Sequence, residues 1–179
     1  MARVALSLVF FVSFFFVRLT KAEVIGSAPG GFKIQISEEA AATPQQVYRA
    51  LTEGISKWWD KSHTYSGDAS NLYLEAEPKG WFGEKLPQGG FVRHLEVVYV
   101  APGKSIRLLG GLGPLQGMGV NGAMTIELVG QGNDKTEIRL LYIVHGFDPN
   151  GLEPIAEPVN RVLTEQLQNL KAFVESSEP

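Results

Sequence analysis

Apolar and polar residues alternate in "GGFKIQIS", with Phe32, Ile34 and Ile36 on one face and Lys33, Gln35 and Ser37 on the other. A period of two with one apolar face predicts a half-buried strand. In "ATPQQVYRALTEG" the period changes, and Val47 and Leu51 lie one helical turn apart. Thr43 is placed to cap this helix, Pro44 suits its first position, and Gln46 completes a T-x-x-Q capping box. Gly54 is expected in the left-handed position after the last turn. "ISKWWD" then reads as a second short helix.

From Asn71 onward the chain reads as strands and turns. "NLYLEAE", "GWFGEKL", "GFVRHLEVVYVA", "KSIRLLG", "GAMTIELVG" and "TEIRLLYIVHGF" are separated by clusters such as "EPKG", "PQGG", "APGK" and "GQGNDK". Gly, Pro, Asn and Asp in short links predict hairpins, and successive hairpins make an antiparallel meander. A long helix closes the chain, starting between Leu152 and Val159. Val159, Val162, Leu163, Leu167, Leu170, Phe173 and Val174 form its apolar stripe, while Arg161, Glu165, Gln168 and Glu175 lie off it. Such a helix needs a sheet to lie on.

The N-terminus has a different pattern. Arg3 precedes an apolar run of 14 residues, Val4 to Val17, and Thr20 and Ala22 frame a cut before Glu23. This is the layout of a secretory signal peptide, residues 1–22, and the run is shorter than the roughly 20 residues that span a bilayer. An uncleaved anchor is the alternative. Cleavage removes Arg3, Arg18 and Lys21 and no acid, so the net charge moves from −3 to −6. An acidic domain without a basic run is a poor nucleic-acid partner. With no cysteine, disulfides and thiol chemistry are excluded, and a packed core must supply stability.

The element order, the segment "ISEEAAATPQQVYRALTEGISKWW" and the closing "GNDKTEIRLLYIVHGF" before the long helix together resemble the START-like (SRPBCC) superfamily. The resemblance covers roughly Phe32 to Glu175. Its first segment is similar to the branch related to activators of a heat-shock-protein ATPase. The resemblance implies an α+β helix-grip domain over residues 23–179: a curved antiparallel sheet of six to seven strands around the C-terminal helix, with two short helices after the first strand. It also implies a cavity between sheet and helix. Members bind lipids, hormones or polyketides, some are cyclases or dehydratases, and some assist chaperones, so the fold leaves the cavity's content open.

Several residues are candidates to line that cavity. Trp58 continues the apolar stripe of Leu51 and Ile55 and is assigned to the core. Trp59 diverges from it by about 100° and is assigned to the cavity rim. His94 and Glu96, two apart on one strand, share a face and are a candidate proton-transfer pair, but are read as a solvated face because Val98 and Val100 are its only apolar companions. Arg93 shares the more apolar face with Phe91, Leu95, Val97 and Tyr99. It is a candidate anchor for an anionic ligand head, unless Glu84 or Glu75 pairs with it or its charge reaches water at the strand's end.

"GGLGPLQGMGVNG" lacks G-K-[ST], so it is not a phosphate loop; Leu112, Leu115 and Met118 make it an apolar flap. The residues assigned to a ligand are Trp59, Tyr65, Trp81, Arg93, Leu95, Leu112, Leu115, Met118 and Tyr142. The three histidines form no metal-binding spacing, and no nucleophile motif or dinucleotide fingerprint occurs. No catalytic residue, metal or cofactor is therefore assigned. The expectation is an exported protein that holds a small hydrophobic or amphipathic molecule and has no membrane span in its mature form. A cyclase-, dehydratase- or hydrolase-type enzyme, or a chaperone co-factor, remains the alternative.

Overall fold

The structure, a computed structural model, describes residues 21–176. Eight strands form one antiparallel sheet: β1 Lys21–Ala28, β2 Gly31–Ala40, β3 Leu72–Leu74, β4 Trp81–Lys85, β5 Phe91–Ala101, β6 Ser105–Leu109, β7 Asn121–Gly132 and β8 Lys135–His145. Their spatial order is β1-β2-β8-β7-β6-β5-β4-β3. The helices are α1 Pro44–Glu53, α2 Ile55–Trp58 and α3 Glu153–Ser176. This is the α+β helix-grip architecture. Where six to seven strands were expected there are eight, because β1 pairs along β2.

The expected cut before Glu23 falls inside β1, after Lys21 and Ala22, which pair with Ser37 and Ile36. The rest of the expected signal segment, residues 1–20, lies outside the described residues.

Local chemistry accounts for the element boundaries. At α1 the Thr43 hydroxyl accepts from the Gln46 backbone N–H at 3.3 Å, and the Gln46 side-chain oxygen accepts from the Thr43 N–H at 2.8 Å, closing the capping box. Asn133 and Asp134 join β7 to β8 with φ of 49° and 54°. Positive φ at both central residues is what a two-residue hairpin that follows the strand twist requires.

Gly54 departs from expectation. Its φ is −122°, not left-handed, and its N–H bonds to the Ala50 carbonyl. A Cβ there would stand 3.0 Å from the Ala50 oxygen, a tight contact that glycine avoids. With no left-handed turn, α2 follows α1 directly.

The core lies between the concave face of the sheet and the helices. Phe32, Ile34 and Ile36 of β2 and Ile138, Leu140, Tyr142 and Val144 of β8 are buried in alternation. Across β2 lies α3, and its later stripe residues Leu167, Leu170 and Val174 are buried in this core. The first turns of α3 have a different neighbour, and that difference creates the site.

Candidate functional site

Between the first turns of α3 and the β4–β5 end of the sheet lies a cavity of about 400 Å³. Ile155, Pro158, Val159, Val162 and Leu163 line it from α3, and Phe82 and His94 from the sheet. The segment Ser62–Tyr65 and the loop Leu112–Leu115 with Met118 complete the wall, together with Trp59. A largely apolar wall with a few polar groups is the usual composition of a small-molecule pocket, and the volume falls within the usual range.

The tryptophan pair divides between core and cavity. Trp58 is 7 % exposed, and its indole N–H donates to the Ala50 carbonyl at 2.9 Å. Trp59 lines the cavity, its ring 5.2 Å from Phe82 and its N–H donating to the His63 carbonyl at 3.1 Å. Trp59→Ala is expected to cost about 1–2 kcal/mol, since the ring is only partly buried. It should also weaken binding of an apolar fluorescent probe severalfold, as read by probe titration and urea unfolding of the same variant.

The loop after β6 lies over the cavity and is tied down. The Tyr142 hydroxyl donates to the Gly110 carbonyl at 2.9 Å and accepts from the Leu112 N–H at 3.1 Å. Burial, opposed in part by the Leu112 bond, pushes the Tyr142 phenol up to about 12. The Gln116 amide donates to the Arg93 carbonyl, and Leu115 is buried. Tyr142 thus supports the loop from the core without lining the cavity.

Of the residues assigned to a ligand from the sequence, Trp59, Tyr65, Leu112, Leu115 and Met118 line the cavity, and Trp81, Arg93, Leu95 and Tyr142 do not. Leu95 is core, at 1 % exposed. Trp81 packs against Phe91 at 6.3 Å and donates to the Tyr73 hydroxyl at 2.9 Å.

Arg93 is half exposed, 5.7 Å from the Trp81 ring centre and 3.5 Å from Glu96. The expected apolar face Phe91–Arg93–Leu95–Val97–Tyr99 is broken by two bulges. Phe82 pairs with Leu95 but Gly83 pairs with Arg93, which leaves His94 as the extra residue. Val97 pairs with Leu108 and Tyr99 with Arg107, which leaves Val98 as a second one. Each bulge reverses which face follows. Arg93 therefore points outward and takes neither Glu84 nor Glu75 as partner. Arg93→Met should change stability by less than about 1 kcal/mol and leave probe affinity unchanged, because an exposed ion pair contributes little.

The same bulge overturns the reading of His94 as a solvated residue. His94 is 4 % exposed, and its partner is Glu84, which is fully buried, rather than Glu96. The alternation of β4 turns Phe82 and Glu84 to the cavity side. The Glu84 carboxylate accepts from the Ser66 N–H at 2.6 Å and the Tyr65 N–H at 3.0 Å, and lies 3.2 Å from His94 Nε2. Burial pushes the Glu84 carboxyl up, but the bonds from Ser66, Tyr65 and His94 together outweigh it and hold the group below its usual range. Burial also lowers the His94 pKa, more than the bond to Glu84 and its charge raise it. The resting state is a carboxylate beside a neutral imidazole whose Nε2–H donates. Phe82, at 4.9 Å, and Tyr65, at 6.0 Å, flank the ring.

Both groups titrate lower in the folded chain than unfolded, so acid favours the unfolded state, which binds more protons. Stability should fall as pH drops below about 6.5, the ordinary value for His94, and again below about 4.5 as Glu84 takes a proton. Urea unfolding across pH 7.5 to 4 checks this, and His94→Phe should remove the first phase.

At the other side of the cavity the buried Gln166 joins α3 to the segment after α2. Its oxygen accepts from the Asp60 N–H at 2.8 Å, and its nitrogen donates to His63 Nδ1 at 3.1 Å. Sequence reasoning missed Glu84, His94 and Gln166 as site residues. Polar residues at inward positions of β4 and α3 were the available signal. Among the described residues no cluster of His, Asp and Glu is arranged to hold a metal ion, and no helix is long and apolar enough to cross a membrane.

No family model matches the chain, and no curated protein matches it significantly. Solved structures do. A conserved protein of unknown function from Enterococcus faecalis is 15% identical, with a TM-score of 0.60 over 89% of this chain and 79% of that one. CalU16 from Micromonospora echinospora is 14% identical, with a TM-score of 0.60 over 89% and 88%. The Aha1 dimer from Colwellia psychrerythraea is 20% identical, with a TM-score of 0.56 over 82% and 98%. At these identities the likeness is one of fold: the chain shares its helix-grip scaffold with these proteins.

Proposed function

We propose that this is an exported member of the START-like superfamily that binds a small hydrophobic or amphipathic molecule in the cavity between α3 and the β4–β5 end of the sheet. The observation that carries the reading is the cavity itself, about 400 Å³ and walled mainly by apolar side chains from α3, Phe82, Trp59 and the loop after β6. Export rests on the N-terminal pattern of charge, apolar run and small residues. Native mass spectrometry of protein purified from its own compartment tests both parts. The expected result is a chain beginning at or near Glu23 that carries a bound apolar molecule. A chain retaining Met1 removes the export argument, and a ligand-free chain that takes up no apolar probe removes the binding one.

One observation favours a second reading, an enzyme on the same scaffold. A buried carboxylate that orients a neutral imidazole in a cavity wall is the arrangement of a general base. Turnover of a bound ligand, lost on His94→Phe while binding of an apolar probe persists, would decide for the enzyme.

A further inference from the structure

One end of the cavity wall is built of aromatic rings. Trp59, Phe82, His94 and Tyr65 follow one another around it, with successive ring centres 5.2, 4.9 and 6.0 Å apart. Tyr65 stacks on His94 at 29°, which leaves its second face open, and the residue is 55 % exposed. The side of the cavity formed by α3 and the loop after β6 carries no aromatic ring.

Behind these rings lies a charge without a counter-charge. Glu84 is fully buried, and the groups that bond its carboxylate, the Tyr65 and Ser66 N–H groups and His94 Nε2–H, are all neutral. Among the described residues no lysine or arginine pairs with it, whereas buried charges in folded proteins are generally paired. At the rim, Glu165 lies 4.0 Å from His63 Nδ1, and the Asp60 carboxylate accepts from the Ser62 N–H. No lysine or arginine lines the cavity, and Lys61 in the same segment is exposed.

The face of an aromatic ring carries partial negative charge and attracts a cation held over it. A buried carboxylate behind the rings adds to that field, because its surroundings screen it less than water does. Resting on the proposed ligand-binding reading, we infer that this end of the cavity receives a cationic head, so the ligand class is an apolar molecule bearing a quaternary or protonated amine. The wall from α3 and the loop takes the apolar body. The rings take the ammonium, and Glu84 supplies the opposite charge. A carboxylate head would meet charge of its own sign at the same place.

Three probes on one ring system separate charge from hydrophobicity at neutral pH and low salt. They are (2-naphthylmethyl)trimethylammonium, its neutral carbon isostere 2-neopentylnaphthalene, and 2-naphthaleneacetate. On apolar transfer alone the isostere would bind most tightly, since it sheds no hydrated charge. The cationic-head reading expects the ammonium to bind about tenfold more tightly than the isostere, and naphthaleneacetate more weakly than either.

Glu84→Gln should lower the ammonium-to-isostere ratio severalfold. Tyr65→Leu should also lower it, and it spares the bond to Glu84, which comes from the Tyr65 backbone. Should the glutamine variant not fold, the leucine variant alone decides. An isostere that binds as tightly as the ammonium overturns the inference and leaves the cavity reading standing, and so does tightest binding of naphthaleneacetate. A preference for the ammonium that survives the substitutions unchanged puts the cation elsewhere and overturns the inference too. If none of the three probes binds, the cavity reading falls and this inference with it.

Discussion

Trp58→Ala is expected to lower the unfolding free energy by about 3–5 kcal/mol, the range for removing a large aromatic from a core. Three features put the residue in that range. The indole is almost fully buried, it sits with Leu51 and Ile55 in the apolar cluster, and its N–H satisfies the Ala50 carbonyl. That carbonyl also accepts the N–H of Gly54, so the ring fastens the point where α1 gives way to α2. The loss should appear as a lower urea midpoint at unchanged slope. A change below about 1 kcal/mol, smaller than that of Trp59→Ala, would show that the core assignment of the pair is reversed.

Glu84→Leu should be comparably damaging, at about 3–5 kcal/mol, for a different reason. Leucine fills much of the same space, but it leaves the Tyr65 and Ser66 N–H groups and the His94 Nε2–H without their acceptor. Glu84→Gln should fall between, because one amide oxygen can serve only part of that set and the amide NH₂ confronts another donor. The ordering glutamate, glutamine, leucine in urea midpoint is the check. A leucine variant as stable as the parent would mean that the loop Tyr65–Ser66 finds water instead and that the carboxylate organises nothing.

Much of the fold was legible because its largest elements carry unbroken periods. The alternation of β2 and β8 and the stripe of α3 each run without an insertion, and Thr43, Pro44 and Gln46 mark the start of α1 independently of packing. The site was less legible because it depends on places where period fails. A bulge at His94 adds one residue to β5, so parity that places Leu95 and Val97 correctly inward assigns the wrong face to the residues before it: Arg93 inward, His94 outward.

Glu84 was hidden for another reason. Its principal donors are backbone N–H groups of a loop 18 and 19 residues earlier, which no side-chain pattern announces. β1 escaped notice because its residues adjoin an apolar leader-like run and alternate only weakly. The cavity loop was easier to read, since Leu112, Leu115 and Met118 are apolar residues in a glycine-rich segment, where burial against something else is their ready explanation.

The sheet order also bears on the time course of synthesis. β2 is made early, and apart from its hairpin partner β1 its neighbour is β8, roughly a hundred residues further along the chain. Until β8 emerges, Phe32, Ile34 and Ile36 have no sheet beside them and no α3 across them. Contacts so distant in sequence close slowly, and an apolar strand with an open edge is a template for pairing with other chains while it waits. The polar side of β2, with Lys33 and Gln35 exposed between its buried residues, is the chain's own protection during that interval. Replacing those two residues with apolar ones would leave the finished fold nearly unchanged and would make the nascent one prone to aggregate.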